Sequence, residues 1–293
     1  MTGLTERVSA WRWRGVETEV RGHKLHTLHA GGAEPLLLFL HGFPSSSYDW
    51  KPLLDLSPGR ATLAFDFLGF GLSDKPRDHD YSLLWQADAA EELVRRNAPE
   101  DPVFIVAHDM GTSVANELMA RDIDGSLSFE LAGVLLLNGS MVQSAASPTL
   151  GQRLLRGPLG PIASQLSSER FFRNQFGSIF SPGHPLTDDE ASDQWSLIRF
   201  NGGHRLGHKT IGYMNERERR AERWHGALRD WPGHLEIGWG MLDPVATPAV
   251  LAAVRELRPQ AEITEWPDLG HYPQIEEPET VSDLLEKALA NSA

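Results

Sequence analysis

Cysteine is absent from the 293 residues. Its absence excludes disulfides, thiolate metal sites and a cysteine nucleophile, and suits a reducing compartment. Long apolar runs are absent too. "PLLLFL" at residues 35–40 and "LAGVLLL" at 131–137 have the length of a strand and fall far short of a membrane span. The opening stretch, "MTGLTERVSAWRWRGVE", contains no apolar core of the kind a secretory signal needs. Basic residues are in deficit, 27 Lys and Arg against 40 Asp and Glu, for a net charge of −13. Such a surface repels phosphate backbones and anionic lipid, so neither nucleic acid nor a membrane is expected as a partner. No repeat, low-complexity tract, phosphate loop or dinucleotide fingerprint stands out, so no cofactor is implied. The expectation is a soluble, cytoplasmic protein, of a length that suits one large domain or a core with an inserted lid. The oligomeric state stays open, a homo-oligomer included.

What is present is an alternation of strands and helices. Residues 16–20 and 23–29 read as two strands around an Arg21-Gly22 turn. Apolar runs at 35–40, 61–67, 103–108 and 131–137 read as buried parallel strands. Between them, Leu83, Ala87, Ala90 and Val94 mark one face of a helix, and another helix begins near Met110. The pattern breaks after Asn138. Residues 141–226 lack strand runs and are rich in helix formers, aromatics and charge. Alternation then resumes with strands at 234–240 and 261–266. A final helix carries Val281, Leu284, Leu285, Ala288 and Leu289 on one stripe. The fold class expected is α/β, a mostly parallel, doubly wound sheet. Residues 1–140 and 227–293 would form its core, and 141–226 a helical cap roofing the carboxyl ends of the strands.

Three residues at predicted strand ends suggest chemistry. Asp109 sits in "AHDMG", small residue–x–acid–x–small residue, between a strand and a helix. That frame fits a tight turn lifting a nucleophile above the sheet, beside a helix N-terminus that favours a carboxylate. The bland alternative is a helix cap. Asp243 lies in "GMLDPV" and His271 in "GHYPQIEEP", each just past a strand. Nucleophile, acid and histidine in that order fit a catalytic triad. "HGFP" at 41–44 follows the strand at 35–40. In this arrangement the backbone N–H groups of Phe43 and Met110 would form an oxyanion hole.

With "HGFPSSSYDW", "DFLGFGLSDKP", "HDMG", "GMLDPV" and "GHYPQIEEP", the chain resembles the α/β-hydrolases with an aspartate nucleophile, the branch of epoxide hydrolases and haloalkane dehalogenases. Within it, "HDMGTSVANEL" and "ERRAERWHGAL" are most similar to the hydrolases grouped with the mesoderm-specific transcript protein. An acid at the elbow has a chemical reason. Serine attacking a saturated carbon would leave a dead-end ether, whereas a carboxylate leaves an ester that water can cleave in the oxyanion hole. Asp109 therefore implies substitution at an epoxide or carbon–halogen carbon, His271 then activating water and Asp243 orienting it.

The resemblance also bears on the leaving group. Haloalkane dehalogenases would imply an Asn and a Trp where Phe43 and Met110 stand, and neither side chain has an N–H. Trp195 and Trp224 remain as other donors. Epoxide hydrolases imply lid tyrosines as acids for the ring oxygen. Of the four tyrosines, Tyr213 alone falls in 141–226, at the position of the family's second lid tyrosine. The reading favoured is a cofactor-independent epoxide hydrolase acting on a small apolar or amphipathic molecule. The alternatives are a dehalogenase with an atypical halide site and a non-catalytic binding protein. Elsewhere the bland readings hold. His204 and His208 are four apart but lack a carboxylate partner, so no metal site is expected. His108 supports the elbow. Phe171, Phe172, Phe176 and Phe180 pack the lid or line a pocket. The run "NERERRAERW" reads as a solvated helix face.

Overall fold

A computed structural model describes residues 3–292. Eight strands form one sheet: β1 (Val16–Val20), β2 (His23–Ala30), β3 (Ala33–Leu40), β4 (Arg60–Phe65), β5 (Val103–His108), β6 (Leu131–Leu137), β7 (His234–Gly240) and β8 (Glu262–Trp266). Their order is β1-β2-β4-β3-β5-β6-β7-β8. β2 runs antiparallel to β1 and β4, and every pair from β4 to β8 is parallel. The expected α/β sheet is therefore observed. The β1–β2 turn has positive φ at both Arg21 (52°) and Gly22 (83°), the conformation that matches the twist of a two-residue hairpin.

Side chains along the central strands alternate between two cores, as a pleat of period two requires. Leu36, Leu38, Leu40, Ile105, Ala107, Val134 and Leu136 share one cluster. It is closed by the helices Leu83–Asn97, Met110–Ile123, Ala221–Asp230 and Pro248–Leu257. Leu37, Phe39, Phe104, Val106, Leu135 and Leu137 share the other, under Glu6–Arg14, Lys51–Leu56 and Pro278–Ser292. Each such Leu or Phe, buried fully, stabilises the fold by about 1.5–3 kcal/mol. Covering both faces is what lets β5 be buried at all six positions. The first helix was not foreseen. Its signals are a Thr5 cap that accepts from the Val8 N–H and the buried Val8 and Trp11 on one side.

β3 leads to β4 on one side of the sheet and β5 follows on the other, so the crevice above β3 and β5 lies where the winding reverses. Asp109 stands there. Between β6 and β7 the chain forms helices and turns and no strand. Phe172, Phe176, Ile179, Phe180 and Trp195 from this segment pack with Val245 and Tyr272 of the core side in a third apolar cluster. Trp224, on the last helix of the segment, inserts between helices and donates its Nε1–H to Glu117 at 2.9 Å.

Candidate active site

Asp109 is the single residue between β5 and the helix Met110–Ile123, with φ 44° and ψ −108°. A side-chain-bearing residue held there costs about 1–3 kcal/mol, which the surroundings must offset. Thr112 helps by donating its hydroxyl to the Asp109 carbonyl at 2.6 Å. Two glycines make the approach feasible. A Cβ on Gly111 would lie 2.2 Å from the Leu40 carbonyl oxygen, and one on Gly42 would lie 2.9 Å from the Asp109 Cβ.

The Asp109 side chain does not cap the helix it precedes, which sets the capping alternative aside. Its Oδ2 accepts the Phe43 N–H at 2.9 Å. Its Oδ1 is buried with no hydrogen-bond partner. The two oxygens are thus unlike: one held, one unspent. The residue is 1% exposed. Burial alone would raise its carboxyl, but the Arg217 guanidinium, then His271, His108 and the Phe43 N–H, override that and hold it below its usual range. Met110 is the first residue of the helix and is buried, so its N–H belongs to the first turn, where no intrahelical acceptor is available.

His271 and Asp243 meet at 2.6 Å, Nδ1 to Oδ2. The Asp243 carboxylate is saturated with donors. Its Oδ1 takes the N–H groups of Val245 and Ala246 at 2.7 and 3.0 Å, and Oδ2 takes the Asn138 amide at 2.9 Å. Such a carboxylate is fixed in place by its donors. Burial alone would lower His271. Asp243 outweighs burial, with Asp109 adding to it, and the imidazole is raised above its ordinary value. With Nδ1 turned to Asp243, Nε2 is the ring nitrogen left for a substrate or water. His108 braces this ring from behind: its Nε2 lies 2.7 Å from the His271 carbonyl. Burial pushes His108 down to about 3, so it stays neutral and donates there.

Tyr213 opens the short helix Tyr213–Arg219 and is buried, its ring 5.6 Å from that of Phe43. The same helix corrects the reading of "NERERRAERW" as solvated. Glu216 and Arg217 are buried. Glu216 accepts the Leu83 N–H at 2.7 Å. Arg217 donates from Nη2 to the Asp109 carbonyl and from Nε to Ser113 Oγ, both at 2.7 Å. The chain breaks at Arg220 into the next helix, Ala221–Asp230, so no single face runs through the charges. Tyr272, which the sequence reading passed over, is fully buried between His108, His271 and Phe180, its hydroxyl 3.5 Å from the Phe43 carbonyl.

A cavity of about 130 Å³ opens over these residues. His271 and Phe43 line its floor, while Phe172, Phe176, Trp195 and Gln152 line its walls. Asp109 and Tyr213 are not among its lining residues, and each contacts Phe43, which is. Of the two tryptophans weighed as halide donors, Trp224 is committed to Glu117. Trp195 keeps a buried Nε1–H without a partner. His204 and His208 bring no third ligand: among the described residues no three His, Cys, Asp or Glu side chains gather as a metal site would need. Nor is any helix among them long and apolar enough to cross a membrane.

The sequence pattern of the alpha/beta hydrolase family matches residues 37–284. The chain belongs to this family. Its similarity extends to the putative hydrolase LipZ of Mycobacterium tuberculosis, 49% identical over 276 residues, 94% of this chain and 96% of LipZ. The mesoderm-specific transcript protein of Mus musculus is 32% identical over 288 residues, 94% of this chain and 85% of that one. Among solved structures, the haloalkane dehalogenase DbeA of Bradyrhizobium elkani shares the fold, with a TM-score of 0.78 at 22% identity. The match covers 95% of this chain and 98% of DbeA. As a family member the chain is a hydrolase, and the resemblance read from its motifs stands.

Proposed function

We propose that the chain hydrolyses epoxides to vicinal diols through an ester on Asp109. The observation that carries this is the asymmetry of the Asp109 carboxylate, with Oδ2 on the Phe43 N–H and Oδ1 unpartnered. Oδ1 attacks a ring carbon. Tyr213 protonates the ring oxygen as the C–O bond breaks. Water, deprotonated by His271 with Asp243 holding the ring, then adds to the ester carbonyl. The charge that develops on Oδ2 falls on the Phe43 N–H, joined by that of Met110. One such donor is worth on the order of 10²–10³ in rate. Residues 141–226 act as the cap that closes the cavity and supplies its apolar walls. An oxygen leaving group fits better than a halide because neither Phe43 nor Met110 offers a side-chain N–H. The second reading, a dehalogenase, keeps one observation in its favour, the free Nε1–H of Trp195.

Single turnover with excess enzyme in H₂¹⁸O, using styrene oxide and alkyl epoxides, separates the readings. The label should enter the peptide containing Asp109 and be missing from the first-turnover diol, and Asp109→Ala should make no diol. Label in the first diol would mean direct attack by water and would sink the ester. Halide release from a parallel haloalkane panel, without any diol, would replace the epoxide reading by the second.

A further inference from the structure

Tyr213 as it stands is a reluctant acid. Burial pushes its phenol well above the ordinary range, and the negative charge of Asp109 pushes the same way. Arg217 lies against both groups. Its guanidinium carbon is 4.6 Å from the Tyr213 ring centroid, and its Nη2 is 3.6 Å from the Asp109 Oδ1. That separation is too long for a hydrogen bond, so the charge attracts the attacking oxygen without tying up its lone pairs. Arg217 is 2% exposed, and its Nη1 is buried with no partner. A buried guanidinium with an unspent donor is costly. A fold that retains one beside a nucleophile has a use for the donor.

We propose that Arg217 is a charge partner shared by Asp109 and Tyr213, pairing with the carboxylate before attack and with the phenolate after it. This rests on the reading of Asp109 as nucleophile and Tyr213 as acid. Oδ1 gives an electron pair to the ring carbon and loses its negative charge. The ring C–O pair passes to the ring oxygen, which takes the Tyr213 proton. One negative charge has then moved from Asp109 to Tyr213, and Arg217 faces it in both states. When hydroxide has added to the ester carbonyl, the C–O bond to the substrate breaks and the departing alkoxide takes the proton from His271 to give the diol. The proton left on the Asp109 carboxyl returns to the phenolate, and the cycle closes with one water consumed. Esterification removes the charge that holds the Tyr213 proton on, so the acid sharpens as the nucleophile is spent. A single lid tyrosine then suffices for a substrate whose leaving oxygen stays attached and strongly basic, as in an epoxide. Of the other groups that face the pair, His271, His108 and the Phe43 N–H stand by Asp109, and the Gln152 side chain stands by the Tyr213 phenol.

Asp109→Asn mimics the ester, neutral at the same size, and makes a test that needs no substrate. Tyrosinate absorbance at 295 nm is titrated, with matched Tyr213→Phe proteins subtracted to isolate Tyr213. The midpoint should fall by about 1–3 pH units from wild type, the effect of removing one nearby charge. Adding Arg217→Met should reverse the fall, and adding Arg217→Lys should preserve part of it. Thermal melts confirm that each protein is folded. A midpoint unmoved by Asp109→Asn, or a fall that survives Arg217→Met, would overturn the proposal. A wild type that forms no ester from any epoxide would overturn the epoxide reading instead, because the titration does not depend on turnover.

Discussion

Asn138 has no role in the proposed chemistry, yet it stands at the base of the site. Its amide nitrogen donates to Asp243 Oδ2 at 2.9 Å and to the Gly240 carbonyl at 3.1 Å, and its Oδ1 accepts the Gly240 N–H at 2.8 Å. All of these groups are buried. Asn138→Ala strands the Gly240 N–H, leaves the Gly240 carbonyl with only the Asp243 N–H at 3.3 Å, and removes one donor from the Asp243 carboxylate. A bond to a charged group contributes about 1.5–3 kcal/mol and each neutral one about 0.5–1.5. The sum is about 2.5–6 kcal/mol, a large part of the total stability of an ordinary domain. At about 2–4 °C per kcal/mol, melting should fall by about 5–24 °C. Urea unfolding at fixed pH gives the free energy directly. The companion Asn138→Asp keeps the size and the acceptor but sets a second carboxylate against Asp243. The two must share a proton or repel, so its penalty should grow as pH rises from about 4 to 8. An alanine variant within about 1 kcal/mol of wild type, or an aspartate variant whose penalty ignores pH, would refute the account of Asp243 as a carboxylate held by its donors.

Other perturbations should separate the parts of the site. Gly111→Ala places a Cβ 2.2 Å from the Leu40 carbonyl and should cost about 1–3 kcal/mol in urea melts; an unchanged midpoint would show that the elbow yields freely. The two chemical steps should differ in pH dependence. Ester formation needs the Asp109 carboxylate, held below its usual value, and the Tyr213 proton, held on by a raised phenol, and should be flat from about pH 5 to 8 in rapid-quench runs. Ester hydrolysis needs neutral His271, raised above 6.5, and should climb with pH through a midpoint above that value; a histidine limb on the first step would contradict this division. His271→Gln should stall the ester, visible as an added mass equal to the whole epoxide, with diol release slowed about 100-fold or more. Trp195→Phe should leave diol formation within a few-fold and abolish any halide release. A loss confined to epoxide turnover would place Trp195 on the leaving oxygen instead.

Much of the fold was legible because burial is periodic in the sequence. Leu36 to Leu40 and Val103 to Ala107 are apolar at every position, since both faces of the sheet are covered, and the helix stripes at 83–94 and 281–289 face those strands. The elbow could be read because Asp109 sits between Ala107 and Gly111, the small residues that a tight strand-to-helix turn demands. Arg217 could not. All four of its neighbours in "NERER" carry charge or amide, and nothing local says that one guanidinium turns inward to a partner 108 residues away. Asn138 and Tyr272 escaped for the same reason. Their roles lie in contacts spanning 102 and 229 residues, which no short window contains. The first helix was missed because its apolar face is only Val8 and Trp11, too brief for a stripe.

The bonds of Asn138 have a topological consequence as well. Asn138 follows β6 and Gly240 ends β7, so their hydrogen bonds pin the carboxyl ends of two neighbouring parallel strands. The inserted segment leaves from that pinned edge and returns at His234, the far end of β7. Insertions, deletions and repacking there can remould the cavity while the sheet below keeps its register. One strip is exempt from that freedom: Arg217 bonds the Asp109 carbonyl and lies over the Tyr213 ring. A lineage exploring new substrates could exchange most of this segment, but not the single helical turn that carries this contact.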